Sequence, residues 1–259
     1  MVAASRTAKP PPAGWLAAMT ARKVAIITGA SEGIGAGLAA GYREQGWAVV
    51  ASAGAISPSP DPDLLAVPAD LTGPAAAGRV VEAALEQFGR LDTLVSIADA
   101  VAAGPFTGYT AADYAAVAGD GLAGFFWLTQ RAIAEMAARY GGHVVTVTAS
   151  AAGPGDCGAT GVLAALATGA LAAATRSLAL EYASRGIRVN AVCPGVMQAP
   201  LDPAGGFGDP AGWLPPLGRA GQVSDVVDGV LFLESARHIT GEILHIDGGQ
   251  SAGRSAPLD

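Results

Sequence analysis

Cysteine, lysine and histidine are scarce in this chain, and each scarcity removes a kind of chemistry. Two cysteines in 259 residues, Cys157 and Cys193, make no disulfide framework, and neither stands at metal-ligand spacing from the three histidines. No metal site is therefore expected. Only two lysines occur, Lys9 and Lys23, and 15 basic against 22 acidic residues give a net charge of −7. No basic run appears, so nucleic acid and anionic membrane surfaces are not expected as partners, because phosphate binding needs clustered Lys and Arg. The longest apolar stretch, residues 161–175, stops at Arg176, short of the roughly 20 residues of a membrane span. The amino terminus has no long apolar core before a cleavage site, so no signal peptide is expected and a reducing cytoplasm fits.

What the chain does have is apolar mass: 51% of its residues are hydrophobic, many of them alanines suited to close helix packing. Strand-like and helix-like segments alternate, which predicts a parallel sheet with crossover helices in a single domain. Strands are expected at 23–29, 48–53, 64–71, 91–98, 143–150, 187–195 and 242–249. Helices are expected at 34–46, 74–88, 110–142 (with a glycine-rich middle), 161–184 and 223–234. Residues 1–21, with KPPPAG, form an extended tail, 22–250 the domain and 251–259 a second tail; translation starts at Met1 or Met19. The helix at 161–184 is apolar nearly all round, which calls for cover on two sides, the sheet on one and another subunit on the other.

The stretch TGASEGIG, residues 28–35, follows a strand and opens a helix, the setting of a glycine-rich phosphate loop. Gly29 allows a sharp turn, while Gly33 and Gly35 let backbone amides approach a pyrophosphate. A tight turn with no ligand is the bland alternative. Further motifs follow: ADL with Asp70, FGRLDTLV (88–95), GIRVNAVCPG (186–195), PLGRAG (216–221) and TGEILHIDGG (240–249). Together they resemble the classical short-chain dehydrogenase/reductase family over residues 22–250. The resemblance implies a Rossmann-like, doubly wound seven-stranded parallel α/β sheet, and dimers or tetramers built through the long fourth and fifth helices. It also implies a nicotinamide cofactor at the carboxyl edge, held by Gly29, Ser31, Gly33, Ile34, Gly35, Asp70, Leu71, Ala98, Pro194 and Gly195.

The chain departs from that family where the proton chemistry belongs. Family members carry Tyr-x-x-x-Lys on the fifth helix, and no such spacing occurs here in any register. Alignment on GALAAATRSLALEYASRGIRVN puts Ala164 at the Tyr position and Thr168 at the Lys position, on one helix face. Gly121 and Ala199 stand where the family has an Asn and a Thr, and Asp99 falls where a glycine lets the cofactor approach. Ser150 is the surviving member of the catalytic set. Strand two ends in ASAG (51–54), with no acid for a ribose and no cation for a 2′-phosphate between Arg43 and Arg79. NAD is thus expected over NADP, or no cofactor at all.

Near the vacated positions, Asp156 is a candidate acid or base and Cys157 a candidate nucleophile or pocket residue, against a plain glycine loop as the simpler account. Met197 and Trp213 fall in the family's substrate loop and suit a small apolar or aromatic ligand, or else pin that loop to the sheet. Cys193 and His245 read as core positions. The preferred functional expectation is a repurposed, non-redox catalyst of the cyclase, isomerase or dehydratase type. The alternatives are a silent scaffold, in a homo-oligomer or beside an active relative, and an NAD-dependent oxidoreductase with another proton donor.

Overall fold

Short β-branched runs free of internal proline form the strands, and alanine- and leucine-rich segments between glycines form the helices. The computed structural model describes residues 22–98, 105–139, 141–148, 157–198 and 214–253, with residues 120 and 157–160 described by backbone alone. Seven strands, β1 Val24–Thr28, β2 Ala48–Ala53, β3 Leu64–Pro68, β4 Thr93–Ala98, β5 Gly142–Thr148, β6 Ile187–Pro194 and β7 Ile243–Ile246, make one sheet. Its order is β3-β2-β1-β4-β5-β6-β7, and every pairing is parallel. The chain reverses its winding between β1 and β4, which opens a crevice at their carboxyl ends.

The helices are α1 Gly33–Glu44, α2 Pro74–Phe88, α3 Ala111–Ala116, α4 Gly124–Arg139, α5 Cys157–Tyr182 and α6 Val223–Ser235. Pro74 starts α2, and Gly89 ends it at φ 76 with its amide on the Leu85 carbonyl. The single helix expected over 110–142 is instead three pieces: α3, a π-helical stretch Val117–Ala123, and α4. Gly119 and Gly121 lie in that stretch, and low helix preference there leaves tertiary packing to set the winding. Gly142 belongs to β5, its pairing with Ile187 outweighing the helical reading.

Apolar side chains alternate between the two faces of the sheet. Ile26, Leu94, Val144 and Val189 pack under α2 and α4, while Ile27, Val49, Val145 and Val192 pack under α1 and α6. α1 and α6 meet closely because Gly37 and Gly41 face Val223 and Val227, and a Cβ at Gly41 would lie 2.7 Å from Val227 Cγ1. Cys193 is buried as expected. His245 is not a core residue: it is exposed, because Leu244 and Ile246 take the face of β7 that packs under α1 and α6 and alternation turns His245 to the other face.

α5 is interrupted at Gly161, where φ is 72 and ψ 167. From Gly161 to Arg185 the helix is long and apolar enough, by length and composition alone, to cross a membrane, with a mean hydropathy of 1.5. Here one side of it lies along β6 and the π-helical stretch. The other side leaves Val162, Leu166 and Leu180 exposed, Leu180 at 84%. Beside it, Phe125, Phe126, Thr129, Ile133, Leu178 and Tyr182 line a groove of about 580 Å³ between α4 and α5.

Candidate active site

The loop after β1 is held from both sides before any ligand is considered. The Thr28 hydroxyl accepts from the Ile97 amide at 2.8 Å, and the Ala30 amide donates to the Ser52 carbonyl at 3.1 Å, tying the loop to β4 and β2. Gly29 turns at φ 60 and Gly33 at φ 53, a region where a side chain strains the backbone. Gly35 is buried against the Gly29 carbonyl, leaving no room for a Cβ, so the first turn of α1 is drawn onto its own loop. Gly33 is exposed with nothing within 4 Å of a Cβ position. Ser31 is exposed beside it, and Ile34 packs inward against the core beneath α1. The result is an anchored loop whose free amides and helix dipole face open space at the switch point.

The other positions implied to hold a cofactor border the same carboxyl edge. Asp70 follows β3 exposed, and its carboxylate accepts from the Thr72 amide at 3.1 Å, which holds its pKa below the usual carboxylate value. Leu71 is half-buried, with Gly124 of α4 close against it. Ala98 ends β4 and is buried. Pro194 ends β6, and the next residue, Gly195, approaches the chain after β7 so closely that a Cβ would lie 2.6 Å from Asp247 Cα. Asp247 in turn accepts from the Gly249 and Ser251 amides at 2.9 and 2.8 Å, closing this corner of the crevice.

At the second-strand discriminator, Gly54 is exposed and has nothing within 4 Å. Arg43, the cation before it in sequence, is turned toward Asp61 and Asp63, with its Nε 2.8 Å from Asp61 Oδ2. It is committed there, away from the loop. Glu32, which the sequence reading did not single out, is exposed immediately before α1 and makes no capping bond. Its presence in the loop is a local negative charge beside the anion-binding end of the helix, legible from its position in TGASEGIG.

On α5, Ala164 is 1% exposed and Thr168, one turn later, is half-buried. Ala167 and Leu163 pack with Val117 of the π-helical stretch. Ser150, Asp156, Asp99, Ala199 and Trp213 lie outside the described residues, as does the side chain of Cys157. Met197 is half-buried, pairs as a bridge with Gly221 and joins the core under α1 and α6, which is the loop-pinning role. Among the described residues no group of three potential ligands could hold a metal.

Comparison with known proteins covers nearly the whole chain. Residues 29–251 match the family model described as enoyl-(acyl carrier protein) reductase. The 3-oxoacyl-[acyl-carrier-protein] reductase of Escherichia coli K12 is 31% identical over 237 residues, 88% of this chain and 96% of that protein. The cis-4-hydroxycyclohexanecarboxylate dehydrogenase of Sinomonas cyclohexanicum is 33% identical over 248 residues, 90% of this chain and 98% of its own. In three dimensions, the 3-ketoacyl-(acyl-carrier-protein) reductase of Brucella melitensis complexed with NADH gives a TM-score of 0.78 at 28% identity, covering 89% of this chain and 99% of that one.

These likenesses overturn the expectation of a non-redox cyclase, isomerase or dehydratase. The relatives are named reductases and dehydrogenases, and the resemblance is not confined to the nucleotide half. The physical reason is one of proportion. General acid–base help is typically worth ~10²–10⁴-fold, while orienting a bound reactant can contribute far more, and it is the orienting loop and crevice that the chain retains.

Proposed function

The chain belongs to the short-chain dehydrogenase/reductase family, and from that premise we propose that it is an oxidoreductase acting with a nicotinamide dinucleotide on a small, largely apolar carbonyl or alcohol. The observation that carries this reading is the anchored phosphate loop, with Gly33 open to the crevice and Gly35 drawn against the Gly29 carbonyl. The residues present fit a dinucleotide: the amino end of α1 offers amides and dipole to a pyrophosphate, and Asp70 offers an acceptor farther along the same edge. The nicotinamide, when bound, supplies or accepts the hydride.

NAD is favoured over NADP. The end of β2 carries neither acid nor cation, Arg43 is held by Asp61 and Asp63, and the Glu32 carboxylate opposes a further phosphate. For the proton, the chain has no Tyr-x-x-x-Lys, so water delivers it, with Ser150 and Asp156 as the candidates that the sequence offers to assist. Ala164 and Thr168 are then the positions where the faster donor and its cation are missing, and turnover is slow. The protein works in the cytoplasm as a homodimer or homotetramer. The support for assembly is the apolar surface left open on these two helices, with Phe126 exposed in the α4–α5 groove and Leu166 and Leu180 exposed on α5.

The test is consumption of NADH at 340 nm with a panel of 3-oxoacyl thioesters and cyclic ketones, in the native chain and in Ala164→Tyr/Thr168→Lys. Slow NADH oxidation in the native chain, rising by ~10²-fold or more in the double variant, is expected. Activity absent from both proteins across the panel, with no saturable NADH binding, would remove the proposal.

A further inference from the structure

A buried polar cluster sits at the opposite, amino edge of the sheet, remote from the phosphate loop. It joins side chains from three strands and two helices. His143, second residue of β5 and 2% exposed, places Nδ1 3.0 Å from Glu234 Oε2 on α6. The same carboxylate oxygen accepts from the Thr93 hydroxyl of β4 at 2.9 Å and the Tyr42 hydroxyl of α1 at 3.2 Å. On its other side, His143 Nε2 lies 3.2 Å from Arg188 Nη1 and 3.0 Å from Asn190 Nδ2, both on β6.

This geometry fixes where the imidazole proton is. A guanidinium only donates, so Nε2 facing Arg188 must be an unprotonated acceptor. Asn190 agrees, because its Oδ1 accepts from the Glu242 amide at 3.1 Å, which turns its amide nitrogen toward His143. The proton is therefore on Nδ1, donated to Glu234, and His143 is neutral.

Arg188 has a second duty that a protonated ring would disturb. It donates to the Leu233 carbonyl at 2.7 Å and the Glu234 carbonyl at 3.1 Å, with longer approaches to Ala236 and Ile239 at 3.4 and 3.3 Å. It thus caps the carboxyl end of α6 and ties down the turn leading to β7.

We propose that His143 is a proton-sensitive latch: taking up a proton at Nε2 sets a third donor against Arg188 and Asn190 and releases the carboxyl end of α6, with the turn after it, from the sheet. The charged and titratable groups that face the ring argue the same way. Lys23 before β1 and Arg188 oppose a second proton, Glu234 favours it, and Tyr42 reaches the ring through Glu234, while Arg237 beyond α6 adds positive charge near Arg188. Burial, the largest influence, holds the His143 pKa below its ordinary 6.5 despite Glu234. Burial also pushes Glu234 up, but donation from His143 and Thr93 leaves its pKa below the usual 4.5.

The sign follows directly. An unfolded or opened segment takes a proton at His143 near 6.5 while the latched one resists, so the latch is fully closed above pH 6.5 and weakens as pH falls below it. Ionised Glu234 sets a second, lower window, below 4.5.

The experiment is amide hydrogen exchange of the full chain, corrected for intrinsic rates, from pH 7.5 to 5.5, in the native protein and in His143→Gln, whose amide can donate to Glu234 and accept from Arg188 without titrating. The Ala236, Ile239 and Gly241 amides report the turn, being bonded to Phe232, Ala236 and Val189 carbonyls. In the native protein their protection should fall by up to about tenfold per pH unit below 6.5, and in His143→Gln it should stay flat. Equal pH dependence in the two proteins overturns the proposal. Should the variant fail to fold, imidazole nitrogen spectra of the native protein decide: a His143 ring that protonates near 6.5 with those amides still protected overturns it, whereas one that stays neutral until protection is lost supports it.

Discussion

Two residues of the phosphate loop carry consequences that can be measured singly. Gly35 has the Gly29 carbonyl where its Cβ would be, so Gly35→Ala must push the loop away from α1. The expected outcome is a thermal midpoint lowered by the equivalent of ~1–3 kcal/mol, with NADH affinity reduced at least about tenfold, read by scanning calorimetry and titration. Gly33→Ala, in open space but at φ 53, should cost less stability, about 1 kcal/mol. The loop was legible in TGASEGIG because glycine spacing there reports backbone conformation directly. His143 was not, since its partners Glu234, Asn190 and Arg188 lie 91, 47 and 45 residues away and only the folded sheet brings them together. A histidine among the valines of HVVTV was the signal available, a polar side chain at a position whose alternation points inward. Removing the acceptor, as in Glu234→Ala, strands three donors at once and should lower stability by at least ~2 kcal/mol, measured by urea denaturation.

At the scale of elements, α1 and α6 depend on each other's shape. Gly41→Leu places a branched side chain where Val227 and Leu231 already stand, and should lower stability by ~1–3 kcal/mol, about 2–4 °C per kcal/mol in a chain of this size, with the far pair β3–α2 unaffected in hydrogen exchange. Bounds read from pattern agree best where punctuation is strong: β2 at 48–53, and α2 between Pro74 and Gly89, coincide with the expected limits. They agree least at VAGDGLA, where two glycines weaken the helical preference and the observed π-helical winding follows from packing on α5 and β4. His245 shows a different limit. Alternation along EILHIDGG puts Leu244 and Ile246 on one face and His245 on the other, and which face is covered is a property of the whole sheet.

For the whole molecule, the fold class is readable because its signals repeat in every βα unit, and the reaction class is not, because it hangs on a few single positions: Ala164, Thr168, Asp99, Gly121, Ala199 and the end of β2. Likeness to named reductases and dehydrogenases over nearly the full length outweighs those positions. The proposed assembly is tested at the same scale. Phe126→Asp, on the exposed rim of the α4–α5 groove, should shift the species seen by light scattering to the monomer while leaving the chain folded. The central claim is hydride transfer, and it is tested most directly with NADH deuterated at C4, at saturating concentration, and mass analysis of products from 3-oxoacyl thioesters and cyclic ketones. One deuterium is expected at the carbinol carbon of at least one alcohol product, formed slowly by the native chain and faster by Ala164→Tyr/Thr168→Lys. Bound NADH together with unlabelled, unreduced substrate throughout the panel, in both proteins, would contradict it.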